Sequence, residues 1–232
     1  MLLGHYGIAF ALKRAEPKLS LGTLFVAVQF PDLLWGIFVL VGWEHARIVP
    51  GYTAVTPLEF LSYPISHSLV GVLIWSVVAA ALYYSWPTRD TSRHWQAAAI
   101  VAAAVFSHYP LDVLVHVADL PLMSNDSTKL GLGLWNNRVA TLAAEALVLG
   151  AGLALYVARG SHRHPVRPGR ILIVALILVA TYLASTYGPP PPNMTTVAVS
   201  DIVFILAMGA LAGWADRRTT NQELAAQGLS HR

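Results

Sequence analysis

Three ionisable residues recur at a spacing of four in the segment SHYPLDVLVH, residues 107–116: His108, Asp112 and His116. Residues four apart on an α-helix are neighbours on one face. The spacing therefore predicts an imidazole, a carboxylate and a second imidazole along one stripe. Neutral imidazole and carboxylate together suit a divalent metal, zinc first, with manganese or iron as alternatives. The surrounding residues are apolar enough to lie in a membrane, where ionisable side chains are rare and mark ion sites, proton relays or substrate paths. A cation would offset the carboxylate charge and give each imidazole a partner.

The composition frames this chemistry. Of 232 residues, 56% are hydrophobic and 12% charged, against about 25% charged in an average soluble domain. With a mean hydropathy of +0.56, the chain belongs to the membrane class. Cysteine is absent, which excludes disulfides, thiolate metal sites and a cysteine nucleophile. A metal would have to use His, Asp, Glu or backbone oxygen. No cleavable signal peptide is expected, because the first apolar stretch is brief and runs into Lys13, Arg14 and Lys18.

The elements that must position these residues follow from the apolar runs. A spanning helix needs roughly 20 apolar residues, and six segments qualify: 20–42, 66–86, 95–117, 138–158, 170–187 and 197–215. Residues 1–13 form a shorter apolar segment that spans halfway, re-enters or lies on the surface. The expected fold is all-α, a polytopic helical bundle of six transmembrane helices plus a short N-terminal helix. Residues 1–218 form one membrane-embedded domain, with the metal-site half in 1–137, supporting helices in 138–218 and a polar tail in 219–232.

Basic residues orient the bundle. Lys13, Arg14, Lys18, Arg89, Arg93, Arg159, Arg163, Arg167, Arg170, Arg217 and Arg218 all fall on one side if six spans alternate. That side is expected to be cytoplasmic, and so is the C-terminus. The opposite loops, 43–65 and 118–137, hold only Arg47 and Lys129, among Glu44, Glu59, Asp119 and Asp126. His45, His94, His162 and His164 read as interfacial or solvated.

The same topology gives the polar residues depths. Asp32 lies past the middle of the first span, His67 opens the second, and His108, Asp112 and His116 climb the outer half of the third. An inserted first helix would lift His5 to the same layer. Glu145 and Asp201 also fall in the outer half, as partners that could orient histidines. Pro31, Pro64 and Pro110 accompany the candidates, and proline loosens a helical ladder. Kinked helices beside a polar pocket are expected.

The order Gly4-His5, Pro31-Asp32, His67-Ser68 and Ser107-His108 with Asp112 resembles the membrane-bound metal-dependent hydrolase family of the LexA-regulated inner-membrane type. GLGLWN at 131–136 resembles the segment that follows that family's last ligand motif, so the resemblance covers about residues 1–137. More distantly, the order is similar to zinc-dependent phospholipase C. Two motifs differ: the chain reads Pro31-Asp32-Leu33-Leu34-Trp35 for P-D-x-D-H, and Ser62 to Ser68 reads SYPISHS for H-R-G-x-T-H-S.

The resemblance implies an inner-membrane hydrolase acting on a lipid or lipid-linked (phospho)ester at the outer leaflet. Asp32, His67, His108 and Asp112 would hold the metal, with His5 completing a first or second site through Asp112. His116 or a nearby carboxylate, Asp112 among them, would accept the proton. A proton- or metal-coupled transporter using the same cluster is the alternative, and a scaffold pinned by a metal is a third. No G-x-S-x-G, H-E-x-x-H or phosphate loop is present, and nothing selects Ser66 or Ser68 for a triad.

Overall fold

A computed structural model describes residues 1–86, 94–159 and 168–217. Arg89, Arg93, Arg163, Arg167, Arg218, His162, His164, the side chain of Arg159 and the tail 219–232 lie outside the described residues. The described chain is mostly helical: α1 (Leu3–Ala15), α2 (Leu21–Val28), α3 (Phe30–Leu40), α4 (Pro64–His67), α5 (Leu69–Ser85), α6 (His94–Phe106), α7 (His108–Val115), α8 (Arg138–Arg159), α9 (Pro168–Tyr187) and α10 (Met194–Ala215). Two short antiparallel hairpins, β1 (His45–Ile48) with β2 (Leu58–Ser62) and β3 (Leu120–Pro121) with β4 (Lys129–Leu130), join helices at one end.

Four helices are long and apolar enough to cross a membrane: His94–Val115 taken as one, Arg138–Ala158, Pro168–Tyr187 and Met194–Ala215. The pair α2 and α3, bent by 54°, makes a fifth if it is one span. Leu73, Ile74 and Val77 on α5, Leu147 on α8 and Val203 on α10 are exposed. A soluble monomer rarely shows apolar surface on that scale. This is a membrane protein.

The count falls short of six for a local reason. Ser68 is extended, and its hydroxyl accepts from Gly71 N at 2.9 Å, capping α5. The segment expected to begin at 66 therefore begins at Leu69 and reaches only 17 residues. His67 sits on the separate short helix α4.

The prolines stand at helix starts, Pro31 just past the 54° bend between α2 and α3. Pro64 is the first residue of α4, Pro31 the second of α3 and Pro110 the third of α7. Proline fits a first turn, where its missing N–H would have had no helical partner. Each start then displays a polar residue: Asp32 in the first turn of α3, His67 at the end of α4, His108 opening α7.

The short N-terminal helix is neither a surface helix nor a peripheral one. Leu3 through Gly7, with Ala9 and Phe10, are buried, and α1 runs through the core against α2, α6 and α8. Its contact with α8 is backbone on backbone. A Cβ on Gly7 would come within 2.5 Å of Val148 O, and one on Gly152 would overlap the Gly7 carbonyl. At the far end Lys13 Nζ donates to Leu19 O and Asp216 Oδ2, both at 2.6 Å, tying α1 to α10. Tyr6 and Phe10 pack against Phe25 at the centre, tilted and edge-on, in one cluster with Val105, Leu178 and Met208.

The hairpins were not expected from the sequence. They are tied to one another: Ala54 N donates to Trp135 O at 3.0 Å, and Asn125 Nδ2 donates to Ser62 Oγ at 2.7 Å. Together they cover the end of the bundle at which Asp32, His67 and Asp112 emerge.

Candidate metal centre

His108 opens α7 one residue after α6 ends, and it is completely buried. The break at Gln29 between α2 and α3 leaves carbonyls at the end of α2 open to partners outside the helix. His108 Nδ1 donates to one of them, Val28 O, at 2.8 Å. A carbonyl only accepts, so Nδ1 carries a proton and Nε2 is the nitrogen left facing inward. Among the described residues that Nε2 has no hydrogen bond. Asp112 Oδ2 lies 2.9 Å from it and Asp32 Oδ1 lies 3.5 Å away.

His67 is held in the same sense from the other side. Glu44, on the turn after α3, accepts from Ile65 N and Ser66 N, both at 2.8 Å, and from Ser66 Oγ at 2.5 Å. Pro64 starts α4, so those two N–H groups would otherwise be unpaired. The hydroxyl proton of Ser66 is thus committed, and its oxygen accepts from His67 Nδ1 at 2.7 Å. His67 Nε2 then points inward, 3.1 Å from Asp32 Oδ1 and 3.9 Å from Asp112 Oδ2.

His116 caps the C-terminus of α7 in an extended conformation rather than continuing the helix. Its Nδ1 donates to Asp119 Oδ1 at 3.0 Å, and Tyr63 Oη donates to the same oxygen at 2.8 Å. Burial, and then the Asp119 carboxylate, hold the Tyr63 phenol well above its usual pKa, so it remains a donor. His116 Nε2 faces Asp112 Oδ2 at 3.8 Å. Trp135 and Phe60 pack on the ring at 4.1 and 5.1 Å between centroids.

Three imidazoles thus donate outward through Nδ1 and turn Nε2 toward Asp112, His67 and His108 toward Asp32 as well. Outer hydrogen bonds of this kind are what metal-ligating histidines almost always have. Two groups are placed to hold a metal ion, His67–His108–Asp112 and His5–Asp32–His108, with the ligand atoms of each within 4.8 Å of one another. The donor separations fit. Tetrahedral bonds of about 2.1 Å put ligand atoms roughly 3.4 Å apart. The four distances from His67 and His108 to Asp32 and Asp112 run from 2.9 to 3.9 Å.

His5, on α1, stacks on His108 with ring centroids 4.0 Å apart and planes 4° from parallel. Its Nε2 lies 3.1 Å from Asp112 Oδ1, and its buried Nδ1 has no partner. The same Asp112 oxygen accepts from the Met1 α-amino nitrogen at 2.5 Å. Among the described residues Glu145 makes no hydrogen bond to an imidazole. It accepts from Leu2 N at 2.9 Å and Gly4 N at 2.7 Å, so it holds the start of the helix that carries His5. Asp201, partly buried on α10, lies within electrostatic reach of Asp32 and His108. Among the described residues it makes no hydrogen bond to a histidine.

No protein-family model, curated protein or solved structure matches the chain. The reading of the centre therefore rests on its own geometry.

Two residues that the sequence offered only as loop charges belong to the site. Asp119 follows His116 by three residues, a spacing that points to it. Glu44 has no such signal, because a gap of 22 residues separates it from Ser66.

Proposed function

We propose that the protein is a membrane-embedded metal-dependent hydrolase acting on a lipid or lipid-linked ester, with a phosphoester as the first candidate. The observation that carries the reading is the inward convergence of His67, His108 and His116 Nε2 on Asp112, the first two also on Asp32, each imidazole fixed from outside. Zinc suits this donor set, and manganese or iron would also be accepted. The resemblance of residues 1–137 to membrane-bound metal-dependent hydrolases supports the same chemistry.

His67, His108, Asp32 and Asp112 would hold the cation, with His5 beside them. Bound there, a divalent cation supplies Lewis acidity to the scissile group and acidifies water. His116 is the proton acceptor. Its Nε2 lies beside the ligand set, and Asp119 on Nδ1 stabilises the imidazolium that forms and keeps the ring oriented. Tyr63 fixes Asp119 in turn. Trp135 and Phe60 cover His116 and limit the water that reaches it.

In this reading α2 with α3, and α4 with α5, complete six spans. The basic ends face the cytoplasm, and the hairpin end faces the outer leaflet of the inner membrane. The depth of the centre among apolar helices is what favours a lipid-linked substrate.

The test is hydrolysis of phospholipids and lipid phosphates by metal-loaded protein in proteoliposomes, wild type beside His116→Ala. Metal-dependent turnover that is lost in the variant is the expected result. Stoichiometric metal without turnover, accompanied by proton or metal flux across the vesicle, would overturn it in favour of transport.

A further inference from the structure

We infer that Glu44 is a positioning residue that sets the tautomer of His67 through Ser66, and with it the availability of His67 Nε2 to a metal. The inference rests on the metal-centre reading and deepens it.

The argument is one of hydrogen-bond polarity. Glu44 Oε1 accepts two backbone N–H groups, and Oε2 accepts the Ser66 hydroxyl. A serine hydroxyl has one proton. With it turned to Glu44, Ser66 Oγ can only accept from His67 Nδ1, 2.7 Å away. A ring proton is then held on Nδ1, and Nε2 is the nitrogen turned to Asp32 Oδ1, 3.1 Å away. The chain is dry: Glu44 is 1% exposed, Ser66 0% and His67 3%. No solvent competes to reverse it. Among the described residues Glu44 makes no hydrogen bond to the ligand atoms, so it acts on the ring proton of His67 through the Ser66 hydroxyl and on the pose of α4 through the Ile65 and Ser66 amides.

Replacing Glu44 by Gln reverses the polarity with little change of shape. The amide oxygen still accepts from Ile65 N and Ser66 N. The amide nitrogen, where Oε2 was, donates to Ser66 Oγ, so the hydroxyl turns and donates to His67 Nδ1. His67 must then carry its proton on Nε2, pointing at the carboxylates, and it leaves the ligand set. Ser66→Ala removes the relay and leaves the tautomer unfixed.

Two measurements on the full-length protein in detergent test this. Nitrogen NMR of ring-labelled histidine, with metal removed, reads the tautomer directly, His67→Ala assigning the signal. We expect the Nδ1–H form in wild type and the Nε2–H form in Glu44→Gln. Zinc affinity by chelator competition should fall about 10- to 100-fold in Glu44→Gln, the range typical for lost outer partners, and should also fall in Ser66→Ala. An unchanged tautomer in Glu44→Gln overturns the inference, and so does a reversed tautomer with unchanged zinc affinity. Should Glu44→Gln fail to fold, Ser66→Ala decides: a single Nδ1–H form with wild-type zinc affinity overturns the inference. Absence of zinc binding in wild type would sink the metal reading instead, and the tautomer comparison would still decide the role of Glu44.

Discussion

His108 Nε2 and Asp112 Oδ2 lie 2.9 Å apart, and among the described residues Nε2 makes no hydrogen bond. The imidazole proton is on the far side of the ring, bonded to Val28 O. Asp32 Oδ1 lies 3.5 Å from the same nitrogen, and His67 Nε2 lies 3.9 Å from the same carboxylate oxygen. In the metal-centre reading, a divalent cation would be the common partner of these atoms.

The first prediction is metal content. Detergent-purified wild type should carry about one equivalent of zinc or manganese by elemental analysis. His108→Ala and Asp112→Ala should each retain less than about a tenth of it, since each removes a ligand from a small set. Metal-free wild type after reconstitution with zinc, manganese and iron would dismiss the site.

His116 separates chemistry from binding. Its Nε2 is 3.8 Å from Asp112 and it lies outside both ligand groups. His116→Ala should keep the metal while turnover of whichever lipid ester proves active falls about 10²- to 10⁴-fold, the usual contribution of a general base. Asp119→Asn should fall between the two. Metal loss in His116→Ala would make it a ligand rather than a base.

The contact between α1 and α8 should tolerate no side chain at Gly7. A Cβ there meets backbone, Val148 O and Leu149 Cα, which cannot rotate away. Gly7→Val should cost at least the roughly 1–3 kcal/mol of ordinary overpacking, read as a lowered unfolding temperature. Gly150→Ala, on the same helix with open space around it, is the control and should be neutral or slightly stabilising. Equal behaviour of the two would contradict the packing described here.

Glu145 should matter to stability more than to chemistry. Glu145→Ala leaves the N–H groups of Leu2 and Gly4 without their acceptor, at about 1–3 kcal/mol for each group left unpaired in the interior. Glu145→Gln keeps an oxygen for one of them and should be milder. A variant as stable as wild type would mean that other acceptors replace the carboxylate.

Much of the centre is legible in the sequence because it obeys local rules. His108 and Asp112 announce themselves by the four-residue spacing inside an apolar run. Asp32 and His67 follow from depth, and His5 from depth once the first helix is allowed to insert. Asp119 was equally legible, three residues after His116, but it sits in a loop where acidic residues are common. Glu44 was not legible, since only tertiary packing brings it to Ser66. The prolines were a correct signal with a second meaning. Pro31, Pro64 and Pro110 mark new helix starts as well as kinks, and periodicity does not distinguish the two. The hairpins escaped because their strands are short: β3 and β4 have two residues each, and β1 and β2 only four and five.

The bond between Leu2 and Glu145 joins positions 143 apart. The helix that is synthesised first therefore waits for one synthesised far later before its leading amides find a partner. Closing so long a loop is entropically slow. The start of the helix that carries His5 is pinned only once α8 supplies Glu145. In the metal-centre reading, loading would then be a late event in biogenesis. A cation bound only by the finished bundle would act as a latch, deepening the native state by mass action after insertion is complete.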